Sequence, residues 1–526
     1  MNSFIWRVFI LIILFTSPLL AQFKNVMISN TNTPEETSIR INPKHPNLII
    51  AAANLNNVYR SSDAGLTWTT SKLVDDVNGV HGDPIVFVDT AGDFYISHLS
   101  DPPAGSWVDR IVFQKSTDAG KTWARGTTTG KNGTKVQDKE GIVVNPFNNE
   151  IYVSWTQFDK YDSKDPALYS NIMFSKSTDA GNTWSTPLRI NSKSGNCEDD
   201  DNTVEGAVPA VGPNGEIYVC WTGPDGIVFN KSLDGGNTWL AQEISVALIP
   251  GGWNYNISGL QRSNGLPQTL CDLSNGPNRG NIYVNWTDQR NGSTDTDVWL
   301  AKSTDGGTTW SAPIRVNDDP PGKQQFLTWM DLDIKTGYIY CSFYDRRDFA
   351  TTSQQTHFYL ARSTDGGNSF LNKKISTTSF IPDPAVFFGD YTGISVYNGI
   401  IRPMWMAYSS GKLSVWTAII NDIDVVGIEK VKDNALQPVA ELKQNIPNPF
   451  NQTTWIKFQL HKETKVNLYV YDLLGKQVAV LYDNELFKEG NYDYIFNSSI
   501  YHLTPGVYYY SLVCDEYQIT KKMIVN

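Results

Sequence analysis

Cysteine is scarce in this 526-residue chain: Cys197, Cys220, Cys271, Cys341 and Cys514 are the only five, an odd number at irregular spacing. That pattern does not read as a disulfide framework. No C-x-x-C or H-E-x-x-H spacing occurs, so a dedicated zinc site is not expected. Cys220 and Cys341 fall inside apolar strand-like runs, 217–221 and 338–341, where a thiol behaves as a small hydrophobe. Long segments of 3.6-residue apolar period are missing, which excludes a helical architecture. Beyond the N-terminus no run approaches the roughly 20 apolar residues that cross a bilayer. Clusters of Lys and Arg are missing too, and the net charge is −11, so nucleic acid is excluded as the main partner.

What the chain does have is aromatic and turn-forming residues: 12% aromatics, 16 Trp, 40 Gly and 26 Pro, the composition of many short strands joined by many turns. Its first 22 residues stand apart. Arg7 precedes the apolar run 8–15 and the small Ala21 precedes Gln22, so residues 1–22 read as a signal peptide, with no Cys at the cleavage point for a lipid anchor.

One motif, Ser-x-Asp-x-Gly-x-Thr-Trp, recurs six times. Its aspartates are Asp63, Asp118, Asp179, Asp234, Asp305 and Asp365, at intervals of 55, 61, 55, 71 and 60 residues, and the last copy ends Ser369-Phe370 in place of Thr-Trp. These intervals suit one four-stranded propeller blade with its loops. Each residue type suits a tight hairpin: the carboxylate accepts backbone N–H groups, Gly takes positive φ, and Trp packs between neighbouring sheets. The aspartates therefore read as structural, because a side chain committed to its own turn makes a poor acid or base.

The motif resembles the Asp-box, or BNR, repeat of sialidases and many other β-propellers, over residues 23–421. The resemblance implies an all-β propeller with the boxes on its outer rim, away from any ligand. The boxes alone count six blades. After the sixth box, however, strand patterns recur at 393–396, 400–405 and 413–418 without a box, and this unit lacks an outer strand. Residues 23–29 read like the strands that follow boxes, 187–191 and 313–317, so seven blades are expected, the last closed by the N-terminal strand.

The sialidase resemblance further implies three arginines on a substrate carboxylate, a Tyr nucleophile paired with Glu, and an Asp acid/base. The Arg-Ile-Pro signature of that family is approximated by Arg40-Ile41-Asn42-Pro43. Two alike loops, 286–290 with Asp288 and Arg290, and 343–347 with Tyr344, Asp345, Arg346 and Arg347, either brace adjacent blades through Asp–Arg pairs or line a ligand mouth. Tyr344, Asp345 and Arg346 are the candidate catalytic group, with Arg40, Asp288, Arg290 and Arg347 as candidate ligand contacts.

A second constellation is Glu36, Asp83, Glu140, Glu205 and Asp390, each near the expected start of an inner strand in a different repeat. Propeller symmetry brings such positions to one end of the channel, where they either bind a hard cation such as Ca²⁺ or stay apart and solvated.

Residues 422–440 lose the repeat pattern and read as a linker. From 441 to 526, alternating strands separated by turns describe a small antiparallel sandwich. This tail resembles the type A C-terminal sorting domain of the bacterial type IX secretion system, which implies export across both membranes of a Gram-negative cell, to the medium or the outer surface, by contact with that machinery. The expected function is a secreted sialidase-like propeller binding glycan or protein ligands at its channel mouth, the alternative being an exo-acting glycoside hydrolase of sialidase type.

Overall fold

A computed structural model describes residues 23–426, 440–473, 476–514 and 517–526. The signal-peptide segment and most of the expected linker lie outside the described residues. The chain divides into two compact units, Met1–Val426 and Gly427–Asn526.

In the first unit, runs of alternating aromatic and β-branched residues between Gly, Asn and Pro turns form seven four-stranded antiparallel sheets. Their inner strands are Ser38–Ile41, Gly82–Val88, Val136–Val144, Glu205–Val211, Gln268–Cys271, Gln325–Leu332 and Gly393–Tyr397. Each inner strand packs against the next and the seventh packs against the first, which closes a ring around a channel. The seven-blade expectation holds. Blade 7 comprises Gly393–Tyr397, Ile400–Ser409 and Lys412–Asn421, and its outer strand is Lys24–Ser29, which pairs antiparallel with the third strand from Lys24 opposite Ile419 to Ser29 opposite Val415. The unit thus leaves neither of those edges unpaired.

All six boxes form the expected turns. In blade 3, Ser177 Oγ donates to Asp179 Oδ1 at 2.8 Å and accepts the Gly181 N–H, while Thr183 donates its N–H and hydroxyl to the two Asp179 oxygens. Box tryptophans seal the joints between blades: Trp184 stacks on Phe113 of the preceding blade with ring centres 3.9 Å apart, and Trp239 and Trp310 meet Phe174 and Phe229 edge-on. A cation from the third strand of the preceding blade commonly latches onto a box carbonyl, as Arg60 does to Ala119, Lys176 to Gly235, Lys231 to Gly306 and Lys302 to Gly366. Arg402, from the second strand of blade 7, donates to the Ala64 carbonyl at 2.7 Å and carries this pattern across the closing joint. Because every box joins a third strand to a fourth, the boxes lie at the end where inner strands finish. Inner strands start on the opposite face.

The second unit contains a three-stranded sheet (Ala440–Leu442, Thr453–Leu460, Gly490–Asn497) and a four-stranded sheet (Gln477–Phe487, Thr464–Tyr471, Gly506–Cys514, Tyr517–Val525). Phe458, Leu468, Tyr510 and Met523 from both sheets share one core, as in a sandwich.

Candidate functional site: an acidic channel mouth

The face bearing the inner-strand starts carries the principal cluster of charge. Four of the seven inner strands open with a β-bulge, where pairing shifts between Gly82 and Ile85, Asp138 and Gly141, Glu205 and Val208, and Phe326 and Trp329. Asp83 and Lys139 sit at these bulges with φ of 51° and 50°, in the left-handed region that L-residues adopt at a cost. The bulge breaks the two-residue alternation, so consecutive residues Asp138, Lys139 and Glu140 can all serve the channel.

Lys139 is the centre of the cluster. Its Nζ lies 2.8 Å from Asp83 Oδ2, 2.8 Å from Asp390 Oδ2 and 3.5 Å from Glu36 Oε1. Arg262 forks onto Asp390, with Nε 2.7 Å from Oδ1, and reaches Asp199 at 3.4 Å. Asn54 donates to Glu36 and accepts the Asp83 N–H. Glu140 is buried and accepts from Ser97 Oγ at 2.8 Å. Glu205 is buried near Asp199 and Asp138.

Electrostatics follows from burial and crowding. Burial acts to raise the Asp390 carboxyl, but Lys139 and Arg262 hold it well below the usual carboxylate range. Elsewhere in the cluster burial outweighs the pull of Lys139. Burial, reinforced by Asp390 and Asp83, lifts Glu35 to about 7; burial lifts Asp138 to about 7 against the pull of Lys139; and burial with Asp83 lifts Glu140 to about 8. Glu36 and Glu205 rise well above the usual range, chiefly by burial, then through Asp83 and Asp199 respectively. Desolvation works against the Lys139 charge, yet Asp390, Asp83 and Glu36 outweigh it and keep the ammonium protonated.

Above this floor lies a cleft of about 260 Å³ lined by Glu35, Glu36, Asp83, Asp138, Lys139 and Arg262, with His81, Trp107, Tyr161 and Phe387 among its aromatic walls. Trp107 is 46% exposed; its indole N–H donates to His81 Nε2 at 2.9 Å and its ring meets Tyr161 edge-on. Tyr161 donates to Asp199 at 2.6 Å, and the Arg262 guanidinium covers the Phe387 ring.

The structure brings all five predicted carboxylates to this region, although Glu140 lies four residues into its strand, past the bulge, and not at its start. The metal reading is corrected: an ammonium occupies the centre that a cation would need, and among the described residues no three His, Cys, Asp or Glu side chains are arranged to hold a metal ion.

The proposed catalytic group is also corrected. Tyr344 is fully buried; its hydroxyl donates to the Met406 carbonyl and accepts the Met406 N–H, both at 2.9 Å, amid Phe326, Phe358, Phe380 and Phe388. Burial raises its pKa well above that of free tyrosine, so it is neither reachable nor ionisable as a nucleophile. Asp345 pairs with Arg347 at 2.7 Å, and Arg346 spends its donors on Thr356, Gln324 and the Ser258 carbonyl. Asp288 binds Arg290, which stacks on Trp299. Arg347 stacks on Tyr359 and also meets Asp318. These loops are braces. Arg40 pairs with Asp331 at 3.3 Å and lines the channel interior away from the cleft, so no arginine triad assembles from these residues.

Two cations were missed by sequence reasoning. Lys139 was hidden between two acids whose alternation the bulge overrides. Arg262 had a signal: the longest interval between boxes, 71 residues, contains an inserted hairpin, Asn254–Tyr255 paired with Ser263–Asn264, that delivers it.

Residues 445–526 match the secretion system C-terminal sorting domain family. The chain therefore carries the mark of type IX secretion, to the cell surface or the extracellular space, and that sorting domain implies contact with the secretion machinery. No curated protein matches the chain. Among solved structures, a Hadza microbial sialidase is 13% identical over 71% of this chain and 73% of its own, with a TM-score of 0.42. A polysaccharide lyase of family PL25, an ulvan lyase, is 12% identical over 76% and 96%, TM-score 0.45. Trypanosoma rangeli sialidase is 12% identical over 86% and 85%, TM-score 0.38. At such distances no activity transfers to this chain.

Proposed function

We propose that this is a secreted glycan-binding propeller whose ligand lies in the channel-mouth cleft. The observation that supports it is the pairing of an exposed indole, Trp107, with a floor of closely spaced carboxyl groups. An aromatic face takes the apolar side of a sugar ring, and carboxylates accept its hydroxyls. The acid surplus argues against sialic acid, whose own carboxylate would meet Glu35, Asp83 and Asp138 with no free arginine to receive it. A glycan array probed with the purified protein tests the reading. Binding to one glycan class, lost in Trp107→Ala, is expected; no glycan bound above a serum albumin control, or a variant that binds equally, sinks it.

A second reading, glycoside hydrolysis, is favoured by one observation: carboxyls that hold their protons near neutrality, Glu35 and Asp138, line the cleft, and the ionised Asp390 lines the smaller cavity that shares Asp83 and Lys139 with it. A proton-bearing acid beside an ionised one is the pair such chemistry requires. Release of 4-methylumbelliferone from a panel of neutral glycosides, abolished in both Glu35→Gln and Asp138→Asn, is the outcome this reading requires.

A further inference from the structure

Beneath the cleft, and sharing Asp83 and Lys139 with it, a smaller cavity of about 50 Å³ is walled mainly by Ile85, Val208, Leu266, Leu327 and Trp329. A water needs roughly 10–15 Å³ on this measure, so about three groups of similar size fit. Charge at its edge is already matched. The Lys139 ammonium is seated on Asp83 and Asp390, and Arg262 forks onto Asp390 from the cleft side.

What the cavity offers is hydrogen-bond donors without acceptors. Glu140 is 6% exposed, and its Oε1 accepts from Ser97 Oγ. Because burial and Asp83 lift this carboxyl to about 8, it keeps its proton at neutral pH, and the proton falls to Oε2. Neither that oxygen nor the buried Tyr391 hydroxyl has a partner among the described residues. Two neutral O–H groups thus line an apolar space. A buried donor left unmade is costly, and a ligand acceptor placed there removes the cost. An ammonium would bring only further donors, and a carboxylate would lose its water among apolar walls. A carbonyl oxygen with a methyl beside it meets both demands, since the oxygen accepts and the methyl covers apolar surface.

Building on the glycan-binding reading, we infer that the mouth selects neutral glycans bearing an acetamido group: a sugar ring lies in the cleft, and its N-acetyl substituent enters the cavity beneath. The acetyl carbonyl accepts from Glu140 and Tyr391, the methyl packs on the apolar wall, and the amide N–H stays at the threshold that Asp83 and Lys139 line.

Isothermal titration calorimetry of the purified protein at pH 6, where Glu140 holds its proton, tests this with a β-1,4-linked N-acetylglucosamine tetrasaccharide against the glucose tetrasaccharide of the same linkage. The repeating units differ only in an acetamido group set against a hydroxyl. The acetylated sugar should bind at least about tenfold more tightly, from buried hydrogen bonding and a buried methyl. Glu140→Leu and Tyr391→Phe should each reduce that preference, whereas Glu140→Gln, whose amide keeps a donor and an acceptor for Ser97, should preserve it. Trp107→Ala should weaken both sugars. Should Glu140→Leu melt early, Tyr391→Phe carries the test, because it removes one oxygen that has no partner to lose. Equal affinity for the two sugars, or a preference unchanged in Glu140→Leu and Tyr391→Phe, overturns the acetamido selection and leaves the glycan reading standing. Failure of both sugars to bind overturns the acetamido selection too, and the glycan reading then rests on the array alone.

Discussion

Lys139 reaches three carboxylates because its own backbone departs from the strand pattern, and its removal shows what the cluster is worth. Lys139→Met leaves Asp83, Asp390 and Glu36 facing one another without the shared ammonium, and breaking a buried pair from one side costs about 3–5 kcal/mol. Chemical denaturation of the variant should show a loss of that size. Tyr344→Phe should behave differently from a catalytic change: it strips Met406 of two hydrogen bonds, which costs about 1–3 kcal/mol, and leaves ligand binding untouched. The raised carboxyls set a pH dependence of defined sign. Glu35, Asp138 and Glu140 bind protons more tightly folded than unfolded, so their contribution is fully present near pH 4, falls as pH rises through about 7 to 8, and is absent above that. Asp390 acts oppositely, stabilising above the usual carboxylate range and losing that contribution in acid. The melting temperature should therefore decline between about pH 5 and 8, from just above the ordinary carboxyl values to the raised ones, and Glu140→Gln should flatten the slope. A melting temperature that climbs across that window contradicts the assignment.

Among the elements, the boxes show how much of this molecule was legible beforehand. Spacing revealed the blades because a blade is a repeated hydrogen-bonded unit and its turn chemistry is local: Ser177, Asp179, Gly181 and Thr183 satisfy each other within seven residues. Ser177→Ala should cost about 1 kcal/mol, since Asp179 and the Gly181 N–H both lose a partner, and a similar loss is expected for the equivalent serine in other boxes. The five carboxylates were legible for a related reason, since propeller symmetry converts repeat position into proximity. The cation among them was not, because a bulge is a local exception to alternation, and Arg262 arrives on an inserted hairpin outside the repeat. The braces were misleading in the opposite direction. Tyr344, Asp345 and Arg346 have the residue types of a sialidase site, but they occupy the end of a buried second strand, where burial turns the same side chains into packing and ion pairs.

At the scale of the whole molecule, ring closure depends on residues nearly 400 positions apart. Deleting residues 23–29 uncovers the third strand of blade 7 along Val415–Ile419, an open edge that templates pairing between chains. Size-exclusion chromatography of that deletion should show loss of the monomer in favour of aggregates, whereas removal of residues 427–526, a separate compact unit, should leave the propeller monomeric. In the producing cell the same C-terminal deletion should halt export, read by fractionation as retention of the protein inside the outer membrane.

The joint between the first and last strands also has a mechanical side. Lys24 lies opposite Ile419 and Ser29 opposite Val415, so the chain enters and leaves the pair at the same end. Tension applied between residues 24 and 421 consequently loads the hydrogen bonds one after another, like a zip, and does not shear them together. A propeller with seven mutually braced sheets thus has a single seam that opens at low force, and a pull on the chain ends would part that seam while the other six blades stay folded.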